Sequence, residues 1–405
     1  MKSTKLFLIL LLPALLAQSV YSLSKILPNF KDKSSEEVLV EVDLTEDINR
    51  FGFELFNLIN TEKGKENIFI SPLSIALALQ MVNNGAERAT LEEINSVLNN
   101  PEVNRLSLNN AYQKLQEKLL SKDEKVDFTI ANSIWHDYNF IFNQEFLDVN
   151  NKYFNAYIKD LNFRSLSAAD EINKWVSENT REKINKIVGP EIDPLTVMYL
   201  INAIYFKGAW QKEFDLKRTR FGTFQPDISC KMMSTTDVFP YFEHERFQSV
   251  QLAYGDSDFA MTIFLPKRNE NLDDLIEYIN DLRWDYFKDQ LKTAEGFLQM
   301  PRFTLEYELS LNNILQDMGM VSAFTPKADF SSITSEELFI SEVKHKTFIQ
   351  VNEEGTEAAA VTSIGMETVS HQEPDFVMRV DRPYIYFIHF NDLVIFMGKM
   401  IHPVD

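Results

Sequence analysis

A ten-residue run at positions 197–206, VMYLINAIYF, restricts the fold of this chain more than any other feature. Its β-branched, aromatic and other apolar residues are typical of a central strand that is buried on both faces. Helical patterns dominate before this run. Strand patterns dominate after it, at residues 247–254, 260–265, 296–300, 338–350, 384–390 and 393–399. Helices early and strands late predict an α+β fold with large, mostly antiparallel sheets.

Two helix starts are indicated by their capping residues. Ser71 followed by Pro72 combines an N-cap hydroxyl with a proline at the first helical position. The residues that follow are apolar on every side, which predicts an interior helix over residues 72–84. Thr90 and Glu93 have the spacing of a capping box, so they predict the start of the next helix.

The N-terminus has the pattern of a secretory signal. Lys2 and Lys5 precede an apolar run at residues 6–16, and small residues follow up to Ser22. The apolar run is too short to span a bilayer. We therefore expect residues 1–22 to be a cleaved signal peptide, the protein to be secreted to the extracellular space, and no membrane partner.

The rest of the chain reads as one large domain. A length of 405 residues alone favours two or three domains. However, no Pro/Gly/Ser-rich linker and no repeat interrupts the sequence after Leu44. We predict a polar lead-in over residues 23–43 and a single domain over residues 44–405.

Charge and cysteine content exclude several classes of partner. The formal net charge is −20, whereas nucleic acids attract clustered Lys and Arg, so no nucleic-acid partner is expected. Four lysines share one face of a predicted helix near residues 106–121, and acidic residues interrupt them: Lys114, Lys118, Lys122 and Lys125. We interpret this face as solvated and expect no polysaccharide binding. A single cysteine, Cys230, excludes an internal disulfide and fits a small buried hydrophobe better than a reactive thiol or an intermolecular bridge.

Motifs for catalysis are missing from the sequence. None of the six histidines lies in an HExxH motif, and neither a GxSxG elbow nor a P-loop nor a GxGxxG motif occurs. The carboxylates show no spacing that singles out an acid/base pair. We therefore expect no enzyme activity, no catalytic residue, no cofactor and no metal site.

Four segments, in order along the chain, carry a family resemblance. They are Ser71-Pro72-Leu73-Ser74-Ile75, the run from Asn202 to Trp210 (NAIYFKGAW), the run from Glu353 to Ala360 (EEGTEAAA), and Phe396-Met397-Gly398-Lys399 with Pro403. Together they resemble the serpins, the serine-protease-inhibitor superfamily, over essentially everything after Asp43. One departure is Tyr384, where the family pattern usually has Phe; we expect its hydroxyl to matter little.

The resemblance implies both a fold and a mechanism. The fold has about nine helices around three β-sheets, with an exposed reactive-centre loop at about residues 353–379. In the family's mechanism a protease attacks the loop and forms an acyl-enzyme. The cleaved loop then inserts into the central sheet and distorts the protease. Family spacing from Gly355 places the scissile bond at Val369-Ser370.

Particular residues receive roles by the same resemblance. The hinge of the loop is Glu353, Glu354, Gly355, Thr356, Glu357, Ala358, Ala359 and Ala360. A polar cluster beneath the opening of the sheet consists of Ser71, Ser74, Asn202 and His345. Trp210 supports the entry of the loop, and Arg302 pairs with Glu353.

The loop sequence itself fits insertion as one strand. Between Thr356 and Met366 every even position is uncharged and none is proline, so one face of the strand could be buried. This favours an inhibitor over a non-inhibitory carrier or storage protein, which remains the alternative. Val369 suits the shallow apolar pocket of an elastase-like protease, and inhibition of papain-like cysteine proteases also stays open. We expect a monomer whose partner is its target protease.

Overall fold

The fold is that of a computed structural model, which describes residues 39–100, 102–120, 123–194, 196–256, 258–281, 284–356 and 373–404. Within these ranges there are nine α-helices: α1 (Thr45–Lys63), α2 (Pro72–Asn83), α3 (Arg88–Val97), α4 (Arg105–Leu119), α5 (Gln144–Phe154), α6 (Ser167–Asn179), α7 (Leu272–Asp281), α8 (Trp284–Lys288) and α9 (Asn312–Asp317). Two 3-10 helices occur at Leu216–Arg218 and Ser322–Phe324.

The described ranges also contain fifteen strands. They are β1 (Ile68–Ile70), β2 (Val126–Asp137), β3 (Tyr157–Leu161), β4 (Met198–Ala209), β5 (Arg220–Phe224), β6 (Ile228–Glu243), β7 (Phe247–Ala253), β8 (Phe259–Pro266), β9 (Lys292–Pro301), β10 (Phe303–Ser310), β11 (Lys344–Val351), β12 (Gly355–Thr356), β13 (Phe376–Arg379), β14 (Tyr384–Phe390) and β15 (Leu393–Met400).

These strands form two hydrogen-bonded sheets. The first has six strands in the order β10-β11-β12-β4-β2-β3. The second has nine strands in the order β1-β15-β14-β8-β7-β6-β9-β13, with β5 paired to β6. The 16-residue strand β6 pairs with β5, β7 and β9. Through β6, strands that the family resemblance assigns to separate sheets form one hydrogen-bonded sheet. The predicted α+β class is confirmed.

The run that opened the sequence analysis becomes β4, and it is covered on both faces. Ile201 belongs to a cluster with Ile172 and Val176 of α6 on one side. Ile204 and Phe206 point to the other side, into the main core. The alternation of side chains along a strand thus explains why the run has almost no polar residue.

The two predicted helix starts have different outcomes. Ser71 is the N-cap of α2, and its side chain accepts a hydrogen bond from the backbone N–H of Ser74, as predicted. The predicted capping box is wrong, because α3 begins earlier, at Arg88 after Glu87. Thr90 Oγ1 instead accepts from the backbone N–H of Asp329, and the carboxylate of Glu93 accepts from Ser322. Both side chains thus serve tertiary contacts.

The strand predicted over residues 338–350 is shorter than expected, because β11 begins only at Lys344. Its neighbour β10 pairs with it as far as Ser310–Lys344, and α9 starts just beyond, at Asn312. Within the described residues, no strand pairs with residues 338–343 at this end. We refer to this end of the six-stranded sheet as its lower end and to the end with β12 as its top.

Residues from Glu41 onward group into one compact unit. Among the residues that the structure describes, no helix has the length and apolar content to cross a membrane. The signal peptide predicted at residues 1–22 lies outside the described residues and stays a prediction.

Candidate functional site

The candidate site begins at the top of the six-stranded sheet, where β12 lies between β11 and β4. Gly355 is opposite Ala209 and Thr356 is opposite Gly208, while Val351 of β11 is also opposite Thr356. Both pairings are antiparallel. Two residues of the predicted hinge thus already occupy a strand position within the sheet.

Gly355 is required by the backbone at this point. Its φ of +154° is one that residues with a side chain rarely adopt, and an added Cβ would lie 2.1 Å from the carbonyl oxygen of Gly208. Only a glycine lets the hinge approach β4 this closely. The next residue, Thr356, is buried, and its hydroxyl forms a 2.6 Å hydrogen bond with the hydroxyl of Tyr254.

Trp210 holds the turn that leads into the hinge. Its indole Nε1 donates to the carbonyl of Asn352 at 3.0 Å, and its backbone N–H donates to the carbonyl of Glu354 at 2.8 Å. The ring is 2% exposed and stacks on Tyr254, with ring centroids 4.5 Å apart. This arrangement agrees with the predicted position of Trp210 at the entry of the loop.

Glu353 ties the same turn to the neighbouring sheet. Its carboxylate lies 3.5 Å from the guanidinium of Arg302 and accepts a 2.6 Å hydrogen bond from the hydroxyl of Thr219. The structure therefore brings together the predicted pair. Partial burial, together with the nearby carboxylates of Glu213 and Glu353, raises the pKa of Glu354 above its usual value.

Three members of the predicted polar cluster meet beneath the sheet. The backbone N–H of Ser71 donates to Nε2 of His345 at 3.0 Å, and Ser71 Oγ accepts from the backbone N–H of Ser74. Ser71 Oγ also donates to the carbonyl of Ile395. Burial lowers the pKa of His345 to about 3, so its imidazole is neutral at physiological pH.

Asn202, the fourth member, forms its hydrogen bond elsewhere. Its Nδ2 donates to Oδ1 of Asn132 at 2.6 Å, and Asn132 donates in turn to Gln116 and to the carbonyl of Phe154. Sequence reasoning missed Asn132, which is buried in β2 and therefore needs hydrogen-bond partners.

A cavity of about 470 Å³ connects Asn202 to the rest of the cluster. It lies at the lower end of the sheet, and Asn202, Ser74 and His345 all contribute to its lining. Three of the four predicted residues thus line one space, and Ser71 contacts this group through its hydrogen bond to His345.

Several predicted residues lie outside the described residues. These are Glu357, Ala358, Ala359 and Ala360 of the hinge and the predicted bond Val369-Ser370. Their roles stay predictions. Cys230 is buried, as predicted. Within the described ranges no group of three or more His, Cys, Asp or Glu side chains is placed to hold a metal ion.

Comparisons with known proteins agree with this geometry. A family model described as "Serpin (serine protease inhibitor)" matches residues 46–403. Human neuroserpin is 30% identical over 369 residues, which cover 86% of this chain and 89% of that protein. Human serpin B8 is 32% identical over 382 residues, covering 89% of this chain and 100% of that protein. The crystal structure of a thermophilic serpin, Tengpin, in the native state has a TM-score of 0.81 and 33% identity, and the match covers 90% of this chain and 96% of Tengpin.

Proposed function

The chain belongs to the serpin family, and from this premise we propose that it is a secreted inhibitor that traps its target protease as a covalent acyl-enzyme. The family implies a protease as the partner. In the proposed reaction the nucleophile of the protease attacks the carbonyl carbon of Val369, and the amine of Ser370 leaves. The loop that ends at Val369 then enters the six-stranded sheet with the protease still attached.

The pairing of β12 with both β11 and β4 carries this proposal. Extending its register downward would place Ala358 opposite Phe206 and Ile349, and Ala360 opposite Ile204 and Thr347. All four partners are buried, and Phe206, Ile349 and Ile204 belong to the main core. Only small side chains fit between such large ones, which supports the Ala-rich hinge as an inserting segment.

The same extension separates the two faces of the inserted loop. Thr362 would lie opposite Asn202 and His345, on the core side of the sheet. Glu357 would lie opposite Lys207 and Gln350, which are partly exposed on the other face. An acidic residue beside a lysine on a solvated face carries no burial penalty. Ala358, Ala360 and Thr362 can therefore be buried on the core side, while Glu357 lies on the opposite face beside partly exposed residues.

For the target we propose an elastase-like or other non-trypsin serine protease. Val369 is medium-sized, branched and uncharged, and no Lys or Arg occurs between Gly355 and Met378. A trypsin-like protease would find no basic side chain for its specificity pocket. Cross-class inhibition of papain-like cysteine proteases is the alternative.

Two arginine substitutions in the loop test the mechanism as a matched pair. Thr362→Arg places a charge on the face that insertion would bury, whereas Gly365→Arg places the same charge on the opposite face, where its neighbours would be the partly exposed Tyr199 and the exposed Glu342. We expect Gly365→Arg and the unmodified chain to form an SDS-stable complex with an elastase-like protease. The variant Thr362→Arg should be cleaved like a substrate without any complex. Equal behaviour of the two variants would refute insertion in this register.

Controls on the unmodified chain separate the remaining alternatives. Mass spectrometry of the released C-terminal peptide locates the cleaved bond. Cleavage by every protease in a panel of serine and cysteine proteases, with no stable complex, would favour a non-inhibitory carrier or storage protein. The loop-cleaved chain should melt well above the intact one, because insertion adds a strand to the sheet. Equal melting temperatures would contradict the proposal.

Secretion and a monomeric state are parts of the same proposal. The support for secretion is the signal pattern before Ser22. Expression of the full chain in a secreting cell, followed by N-terminal sequencing of the protein in the medium, should give a first residue close to Leu23.

A further inference from the structure

The cavity at the lower end of the six-stranded sheet has the properties of a ligand site. Its volume of about 470 Å³ is within the range of small-molecule pockets, roughly 300–1,000 Å³. Helix α2 contributes Ile75, Ala78 and Leu79 to its lining, and β4 contributes Leu200. Residues 338–343 form part of another wall, and their apolar side chains Leu338, Ile340 and Val343 are only partly buried.

Two polar groups on this lining lack a hydrogen-bond partner within the described residues. Oδ1 of Asn202 is buried and accepts no hydrogen bond, since Asn202 uses its Nδ2 on Asn132. Nε2 of His345 accepts from the backbone of Ser71, so the neutral ring carries its hydrogen on Nδ1. No acceptor for this N–H occurs in the part of the chain that the structure describes. The unpaired Oδ1 of Asn202 and the unpaired Nδ1–H of His345 therefore belong to residues that line an apolar space.

The charges around the cavity determine what kind of ligand it accepts. Asp193, Glu337 and Glu342 are among the lining residues. The one lysine of the lining, Lys344, lies 3.6 Å from Glu308 and 3.8 Å from Glu342. The surplus of acidic groups disfavours an anionic ligand such as a fatty acid.

We propose that this cavity binds a small neutral amphiphile, namely an aromatic alcohol. The apolar rings fill the space between α2 and β4, which is lined by Ile75, Leu79 and Leu200. The hydroxyl both donates and accepts hydrogen bonds, so it satisfies either Oδ1 of Asn202 or the Nδ1–H of His345. A ligand that forms a hydrogen bond with such a polar group should bind about tenfold more tightly than a ligand that lacks the hydrogen-bonding atom.

Binding here would also control inhibition, and this second step rests on the proposed function. In the extended register, residues 362–366 of the inserted loop run opposite β4 residues that line this cavity, from Asn202 down to Met198. A bound ligand and the inserted loop therefore compete for one space. The ligand should slow insertion and divert the reaction toward simple cleavage.

The test of the site uses 2-naphthol with the full chain and no protease. Isothermal titration should show saturable binding at a stoichiometry of one. Naphthalene, which lacks the hydroxyl, and 2-naphthoate, which carries a negative charge, should each bind about tenfold more weakly. Equal affinity for the three probes, or no binding of 2-naphthol by a folded chain, would overturn the proposal.

Three variants locate the binding. Ala78→Phe fills the cavity from α2 and should abolish binding, whereas Ala89→Phe, on an exposed position of α3, should leave it unchanged. Asn202→Leu removes the unpaired acceptor without filling the cavity. It should reduce the preference for 2-naphthol over naphthalene, and this result does not depend on whether Ala78→Phe folds. Unchanged binding and preference in both cavity variants would refute the site.

A second assay separates this site from the inhibitory function. With an elastase-like protease, saturating 2-naphthol should raise the number of inhibitor molecules consumed per protease trapped, and Ala89→Phe should respond in the same way. If 2-naphthol binds but no protease is ever trapped, the site stands and the proposed function fails. If protease is trapped and binding is absent, the proposed function stands and the site fails.

Discussion

Acidification should destabilise the native fold through His345, a buried residue of β11 in the six-stranded sheet. In the native state Nε2 of His345 accepts the backbone N–H of Ser71, and burial lowers the pKa of the ring to about 3. In a protonated ring both nitrogens carry a hydrogen, so neither can accept a hydrogen bond. A protonated His345 would therefore lose the hydrogen bond from Ser71 and would also carry a buried charge. The lowest-energy native form therefore keeps His345 neutral.

The sign and size of the effect follow from the two pKa values. In the unfolded chain His345 titrates near 6.5. Between pH 6.5 and pH 3 the unfolded state therefore binds the proton more tightly than the native state. The free energy of unfolding decreases as the pH is lowered through this range. At pH 5 the gap between 6.5 and 5 is worth about 2 kcal/mol relative to neutral pH. His389 is also buried, and burial likewise lowers its pKa to about 3. The two histidines together should cost about 4 kcal/mol at pH 5.

The assay compares urea unfolding at pH 7 and pH 5 for the unmodified chain, His345→Gln and His389→Gln. Each variant should lose about half of the histidine-dependent fall in stability, because glutamine does not titrate. His389 lies in β14 of the other sheet, so it is a matched control for the charge effect alone. Histidine NMR on isotope-labelled protein gives the pKa directly. A value near 6.5 for His345, together with an unchanged pH dependence in His345→Gln, would refute the reasoning.

Three further substitutions test the hinge and a buried hydroxyl. Gly355→Ala should lower stability by roughly 1–3 kcal/mol in calorimetry, because its Cβ would meet the carbonyl of Gly208 at 2.1 Å; an unchanged melting temperature would contradict the role of the glycine. Glu354→Gln should raise stability at pH 7, since the raised pKa of Glu354 means that its charged form is disfavoured in the fold, and the gain should vanish as the pH falls below 4.5. Tyr384→Phe should stabilise the chain by about 1 kcal/mol in urea titrations, because the buried hydroxyl has no partner within the described residues. In the matched control Tyr254→Phe, removal of a hydroxyl that does form a hydrogen bond should destabilise it.

The parts of the fold that could be predicted from the sequence depend on local patterns. The apolar run of β4 and the Ser71-Pro72 start of α2 are set by strand alternation and by capping chemistry within a few residues. The capping box at Thr90 failed because its side chains bond to segments more than 200 positions away. Nothing within the window of a helix start indicates such a competing partner.

The site shows the same division between local and distant information. Position 355 requires glycine for a local reason, because the backbone of Gly208 leaves no space there for a side chain. The partner of Asn202 could not be predicted, because Asn132 is brought beside it by the antiparallel register of β2 and β4. The start of β11, which is later than predicted, could not be predicted from the sequence either, since it depends on where the neighbouring strand β10 ends. Long-range pairing therefore determines the shape of the cavity.

The order of side-chain sizes in the loop matches the shape of the gap that it would enter. At the top of the gap the neighbours Ile204 and Phe206 already fill the core, and the loop offers alanine at positions 358 and 360. At the lower end the structure has an apolar cavity, and the loop offers Ile364 and Met366 at the same face. Burying two such side chains contributes about 3–6 kcal/mol. We infer that the lower cavity is a source of the free energy that draws the cleaved loop into the sheet, which is why a ligand in that cavity would oppose inhibition most strongly.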